Sequence, residues 1–92
     1  MEDVKTTTAE DVASVEKIKK WSPQEVHGFL EKKKDELFLK DQDIKIIEDQ
    51  EVAGQDFLLL TNEVLERYGL KGGPATRIAQ LIKEIKGEEQ GN

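Results

Sequence analysis

The chain has 92 residues, enough for one small domain and too few for a second hydrophobic core. Charged residues make up 37% of it and hydrophobic residues 36%, and the net charge of −6 argues against a nucleic-acid partner, because phosphate affinity comes from positive charge. The absence of cysteine excludes disulfides, thiolate metal sites and thiol catalysis.

The N-terminal segment, residues 1–16, shows no sustained hydrophobic period and contains three consecutive threonines, which predicts a flexible tail. The alternative is a short amphipathic turn, carried by Val12, Val15 and Ile18, that docks on the domain. The segment is too acidic for a signal peptide, and no apolar run in the chain approaches the roughly 18 residues of a membrane span. We therefore expect a cytoplasmic protein without membrane insertion and a folded domain over residues 17–86.

Five helices are predicted along this domain, and the first begins at Pro23. Ser22 and Glu25 flank that proline in a capping-box pattern, ahead of an apolar stripe. Gly28 lies inside predicted helix 1, where glycine costs about 1 kcal/mol relative to alanine, and nothing in the sequence explains it. Asp41 is the predicted N-cap of helix 2.

Two short helices are predicted in the middle of the chain. Residues 55–60 are apolar enough for a buried single-turn helix, which is predicted helix 3. Thr61 is the predicted N-cap of helix 4, which ends at Gly69. Trp21 and Phe57 are assigned to the core and not to base stacking. Because no period-2 strand pattern occurs, the expected fold class is all-α.

Predicted helix 5 is the longest, running from Pro74 to Lys86 over about 20 Å at roughly 1.5 Å per residue. Its apolar residues recur at the i, i+3, i+4 and i+7 spacing that lines one helix face. Gly73 is its predicted N-cap, and Gly87 is the predicted first residue beyond its C-terminus. Residues 87–92 are polar and predict a second flexible tail.

Charge is distributed unevenly along the domain. Acidic residues dominate between residues 41 and 66, whereas basic residues dominate between residues 71 and 86. The acids either bind a partner or simply solvate an exposed face. Arg77 favours partner contact, because a positive charge one turn into a helix is disfavoured by the positive end of the helix dipole.

Three kinds of chemistry fit the sequence poorly. Lys71-Gly72-Gly73 lacks the pattern of a phosphate-binding loop, and the acids that follow Asp41 fail the register of a calcium-binding EF-hand. His27 is the single histidine, lies on the polar side of predicted helix 1 and has no cysteine partner. We therefore expect no enzyme activity, no cofactor and no metal.

Three blocks of sequence together resemble a sterile alpha motif (SAM) domain. They read W-S-P-x-E-V-x-x-F-L from Trp21, V-A-G-x-x-F-L-x-L-T from Val52 and L-x-x-Y-G-L-K-x-G-P-A-x-x-I-x-x-L-I from Leu65. The match covers roughly residues 18–86, and the ending G-x-G-P-A looks most like fungal members of the family. The resemblance implies a compact five-helix bundle with a long C-terminal helix that binds other proteins.

The resemblance also implies which surfaces bind. Family members often associate head to tail, an acidic patch around helices 2–4 of one domain meeting the N-terminal end of helix 5 on the next. Carried over to this sequence, the acidic side consists of Asp49, Glu51 and Asp56. The basic end consists of Lys71, Gly72, Gly73 and Arg77. The free N–H groups and the dipole of a helix N-terminus attract carboxylates, so this pairing is physically sound.

The implied function is association with another SAM domain or with a second copy, in a signalling or scaffolding protein. Such association would build a homo-oligomer or a head-to-tail polymer. The alternative implied by the resemblance is RNA-hairpin binding through the end of helix 5. Its candidate residues are Lys71, Arg77 and Lys83.

Overall fold

The computed structural model describes residues 15–90, with side chains described up to residue 87. Within these residues the chain forms helices and no strand, so the all-α fold class is confirmed. No helix in this part of the chain is long and apolar enough to cross a membrane. The helices are α1 (Val15–Lys19), α2 (Pro23–Lys32), α3 (Asp41–Asp49), α4 (Gly54–Phe57), α5 (Asn62–Tyr68) and α6 (Gly72–Gln90).

Helices α2–α6 are the five predicted helices, and α1 is a sixth at the N-terminal side. Ile18 on α1 is fully buried, and Val15 packs against the core. The helix contacts α4 and α6. From Val15 onward the structure therefore agrees with the alternative to a flexible tail, in which a short amphipathic turn docks on the domain. Residues 1–14, which include Val12, and residues 91–92 lie outside the described residues. The flexibility predicted for them stays a prediction.

Replacing Ile18 by alanine is expected to destabilise the domain by about 2–5 kcal/mol, because it empties a fully buried site between α1 and its neighbours. Thermal unfolding followed by circular dichroism measures the effect. The neighbouring exposed residue gives the control, since Lys19→Ala should change the free energy of unfolding by no more than about 0.5 kcal/mol. Equal melting temperatures for the two variants would contradict the docking of α1.

Two of the predicted helix starts are confirmed. The Ser22 hydroxyl accepts a hydrogen bond from the Glu25 N–H at 3.2 Å, and the Glu25 carboxylate accepts one from the Ser22 N–H at 2.9 Å. At the start of α5, Thr61 Oγ1 accepts from the Val64 N–H at 3.2 Å. Gly69 ends α5 with φ 121°, a conformation that only glycine adopts without steric cost.

The predicted N-cap of α3 is wrong. Lys40 occupies that position, and the Asp43 carboxylate reaches back to accept from the Lys40 N–H at 2.9 Å. The Asp43 N–H donates to the Lys40 carbonyl at 2.9 Å, so it does not need a side-chain oxygen at the cap. Asp41 instead accepts from the Lys34 ammonium group, and this hydrogen bond raises the pKa of Lys34.

Helix α6 extends beyond its predicted limits at both ends. It begins at Gly72, so Gly73 is a first-turn residue and not the N-cap. Pro74 is tolerated in the first turn, because the N–H groups there have no acceptor within the helix. Gly87 lies inside the helix, since the cost of about 1 kcal/mol for a helical glycine is too small to end a helix by itself.

A single core lies between the helices. Phe57 is fully buried, and its ring centroid lies 6.1 Å from that of Phe29 in an edge-to-face arrangement. The Phe29 centroid is in turn 5.1 Å from that of Trp21, which is half-buried at the edge of the core. Ile78 of α6 is also fully buried. Trp21 and Phe57 are therefore core residues, as predicted.

Candidate functional site

The acidic side lies at the end of α3 and in the turn and helix that follow. The Asp49 carboxylate accepts from the Lys45 ammonium at 3.2 Å, and the Asp56 carboxylate accepts from the Ala53 N–H at 3.1 Å. The Glu51 N–H donates to the Glu48 carbonyl at 2.9 Å, whereas its side chain is exposed and its carboxylate has no hydrogen bond or ion pair with another described residue. All three carboxylates face solvent, and exposed pairs such as Lys45–Asp49 are worth at most about 1 kcal/mol, so a partner could displace them.

An exposed leucine accompanies these acids. Leu59 follows α4, its N–H donates to the Asp56 carbonyl at 2.9 Å, and 73% of its surface is exposed. The sequence predicts a buried turn over residues 55–60, which is wrong for Leu59. The two residues are three positions apart on one helical turn, so they occupy the same face. The acidic side therefore combines charge with an apolar side chain.

The basic end lies where α5 gives way to α6. Lys71, Gly72 and Gly73 are all exposed, and the Lys71 carbonyl accepts the first hydrogen bond of the helix, from the Ala75 N–H at 3.0 Å. The N–H groups of Gly72 and Gly73 precede that bond, have no acceptor inside the helix and lie at its positive dipole end. The start of α6 can therefore receive a carboxylate.

Arg77 points back toward the protein. Its Nε donates to the Leu37 carbonyl and its Nη2 donates to the Phe38 carbonyl at 3.3 Å. The guanidinium carbon lies 5.8 Å from the centroid of the Phe38 ring, within the range of a cation–π contact. Partner contact by Arg77 stays a prediction, and the structure adds an intramolecular role: this side chain holds the turn after α2 against α6.

That turn places a phenylalanine in a position that usually holds glycine. The Phe38 N–H donates to the Asp35 carbonyl at 3.3 Å and the Leu39 N–H donates to the Lys34 carbonyl at 2.9 Å, the two bonds of a Schellman motif. Phe38 has φ 54°, a left-handed conformation that costs a non-glycine residue about 1 kcal/mol. Its side chain is 75% exposed, so core packing does not explain why phenylalanine stands there.

The two charged surfaces lie at opposite ends of α3. A groove beside Phe38 and Lys71 is also lined by Lys40 and Gln42, so the N-terminal part of α3 borders the basic end. Asp49 is the last residue of this nine-residue helix, about 12 Å further along at 1.5 Å per residue. One domain therefore presents an acidic surface near the C-terminal end of α3 and a basic surface near its N-terminal end.

Comparison with known proteins identifies the family of this chain. A family model described as a SAM-like domain matches residues 1–84. No curated protein and no solved structure gives a significant match to the chain. The fungal character suggested by G-x-G-P-A stays a prediction.

Proposed function

The chain belongs to the SAM-like domain family, whose members are generally protein-interaction modules, and we propose that it binds a SAM domain head to tail, in the first instance a second copy of itself. The acidic side of one copy pairs with the basic end of the next. The observation that carries this proposal is the separation of the two surfaces to opposite ends of α3. The role is one of binding, without catalysis.

The physical basis of this pairing is electrostatic. Glu51 is an exposed carboxylate, and the start of α6 offers unpaired N–H groups, the positive end of the dipole and the Lys71 ammonium. Gly72 and Gly73 bring no side chains between the partner and the helix backbone. Because every copy carries both surfaces and the two surfaces differ, the contact repeats from copy to copy and builds a ring or a filament.

Two charge reversals test the pairing. Glu51→Lys should disable the acidic side and Lys71→Glu the basic end, and neither side chain packs in the core. We expect the parent to associate, each variant alone to be monomeric, and an equimolar mixture to form a 1:1 dimer, since each variant retains one intact surface. Light scattering over a range of concentrations at low salt measures the mass, and added salt should weaken the association.

Matched controls change the net charge equally at exposed positions outside both surfaces. Glu66→Lys and Lys83→Glu serve this purpose and should associate like the parent. Arg77 is not chosen for reversal, because its loss would also release the turn after α2. A monomeric mixture alongside an associating parent would refute the pairing of these two surfaces. A parent that stays monomeric at high concentration would refute self-association.

RNA-hairpin binding gains no support from the arrangement of its candidate residues. Of the three candidates, Arg77 already donates to the carbonyls of Leu37 and Phe38. The two that remain, Lys71 and Lys83, are exposed cations on a chain of net charge −6. Affinity for phosphates depends on the number of positive charges in contact with them. We therefore propose a protein partner only.

A further inference from the structure

Two large apolar side chains are exposed among the described residues, and they fall on the two proposed binding surfaces. Phe38 and Leu59 are 75% and 73% exposed, whereas the other large apolar side chains of residues 15–87 are buried or packed against the core. Phe38 shares a groove with Lys71 and Arg77 of the basic end. Leu59 lies one turn beyond Asp56 of the acidic side. Each surface thus combines one apolar side chain with charge, acidic beside Leu59 and mainly basic beside Phe38, whose groove also includes Asp43.

Phe38 is held in place before any partner arrives. Arg77 donates to the carbonyls of Leu37 and Phe38 and lies against the phenylalanine ring. The Schellman bonds fix the backbone at the same point. A side chain that is already ordered loses less entropy on binding, and both aromatic residues and arginine are enriched at protein interfaces.

We propose that Phe38 and Leu59 are the apolar anchors of the head-to-tail contact, the Phe38 ring of one copy packing beside Leu59 of the next. This inference rests on the proposed function. A second copy is the occupant that fits, because Leu59 lies on the same turn as Asp56, whereas Phe38 shares a groove with Lys71 and Arg77. The charges then form the rim of the contact and the two apolar side chains its centre, the arrangement found in stable interfaces.

Two truncations test the anchors. Phe38→Gly removes the ring and places glycine at a left-handed position, so the domain should melt within a few degrees of the parent. Leu59→Ala shortens an exposed side chain and should also leave melting unchanged. We expect each variant to raise the dissociation constant for self-association by about 30-fold, as measured by sedimentation velocity. The loss should persist from about 0.05 to about 0.5 M salt, because apolar contacts are not screened.

A mixture and a conservative variant complete the experiment. Equimolar Phe38→Gly and Leu59→Ala should form a 1:1 dimer of nearly parental affinity, since the intact Phe38 of one meets the intact Leu59 of the other. Phe38→Tyr keeps the ring and should associate like the parent. If both truncations associate like the parent while the Glu51→Lys and Lys71→Glu mixture forms a dimer, Phe38 and Leu59 are not the anchors of the contact, and the proposed function stands. A monomeric parent overturns both.

Discussion

Replacing Gly54 by alanine is expected to destabilise the domain by about 3 kcal/mol or more, which would lower the melting temperature by at least about 12 °C. A Cβ at this position would lie 1.6 Å from the Ile18 carbonyl oxygen and 3.0 Å from the Trp21 Cβ. The obstacle is main chain and cannot rotate away. The Gly54 N–H also donates to the Trp21 carbonyl at 2.9 Å, so the two segments meet backbone to backbone.

The same substitution at another glycine supplies the control. A Cβ at Gly28 would meet no atom within 4 Å, and the residue lies in the interior of α2. Gly28→Ala should therefore stabilise the domain by about 0.5–1 kcal/mol, since alanine loses less backbone entropy in a helix. Calorimetry of the two variants should show melting temperatures that move in opposite directions. If Gly54→Ala melted close to the parent, the contact between α1 and α4 would not exist as described.

The second large effect is expected for Phe57→Ala, at about 3–5 kcal/mol. Phe57 is fully buried and lies edge to face against Phe29, so truncation leaves a cavity and removes an aromatic contact. A domain of this size has about 5–15 kcal/mol of stability in total, so the variant should be close to unfolding at physiological temperature. Chemical denaturation monitored by Trp21 fluorescence measures the loss.

Leu59→Ala is the matched control for this substitution, two residues further along the chain. Because Leu59 is exposed, its truncation should change the free energy of unfolding by no more than about 0.5 kcal/mol in dilute solution. Equal denaturation midpoints for the two variants would show that the core does not centre on Phe57.

Local patterns predicted the fold where the governing interactions are local. The Ser22–Glu25 capping box and the Thr61 cap each depend on atoms three residues apart, and the sequence shows both partners at once. The cap of α3 was missed, because Asp41 could have capped the N–H groups that follow it, and only the geometry shows that Asp43 accepts from the Lys40 N–H. Helix ends at glycine were missed for a similar reason, since Gly72 and Gly87 permit both continuation and termination.

The candidate site was predictable in its charges and not in its apolar residues. The segregation of acids and bases along the sequence survives in the fold, because consecutive elements carry the two groups. The exposure of Phe38 and Leu59 depends on which way a turn faces, which no periodicity reveals. The hydrogen bonds from Arg77 to Leu37 and Phe38 join residues about 40 positions apart, so they become visible only in three dimensions.

The packing of α1 against α4 and α6 has a consequence for how the domain acquires its structure on the ribosome. The chain emerges from its N-terminal side at about 5–20 residues per second, so α1 appears before either of its partners. Ile18 cannot be fully buried until α6 has left the exit tunnel. Helix α5 also packs on α6, so its packing is incomplete until the same moment. Nascent chains that end before α6 should therefore expose apolar surface to which chaperones can bind, and the core can be completed only after α6 has emerged.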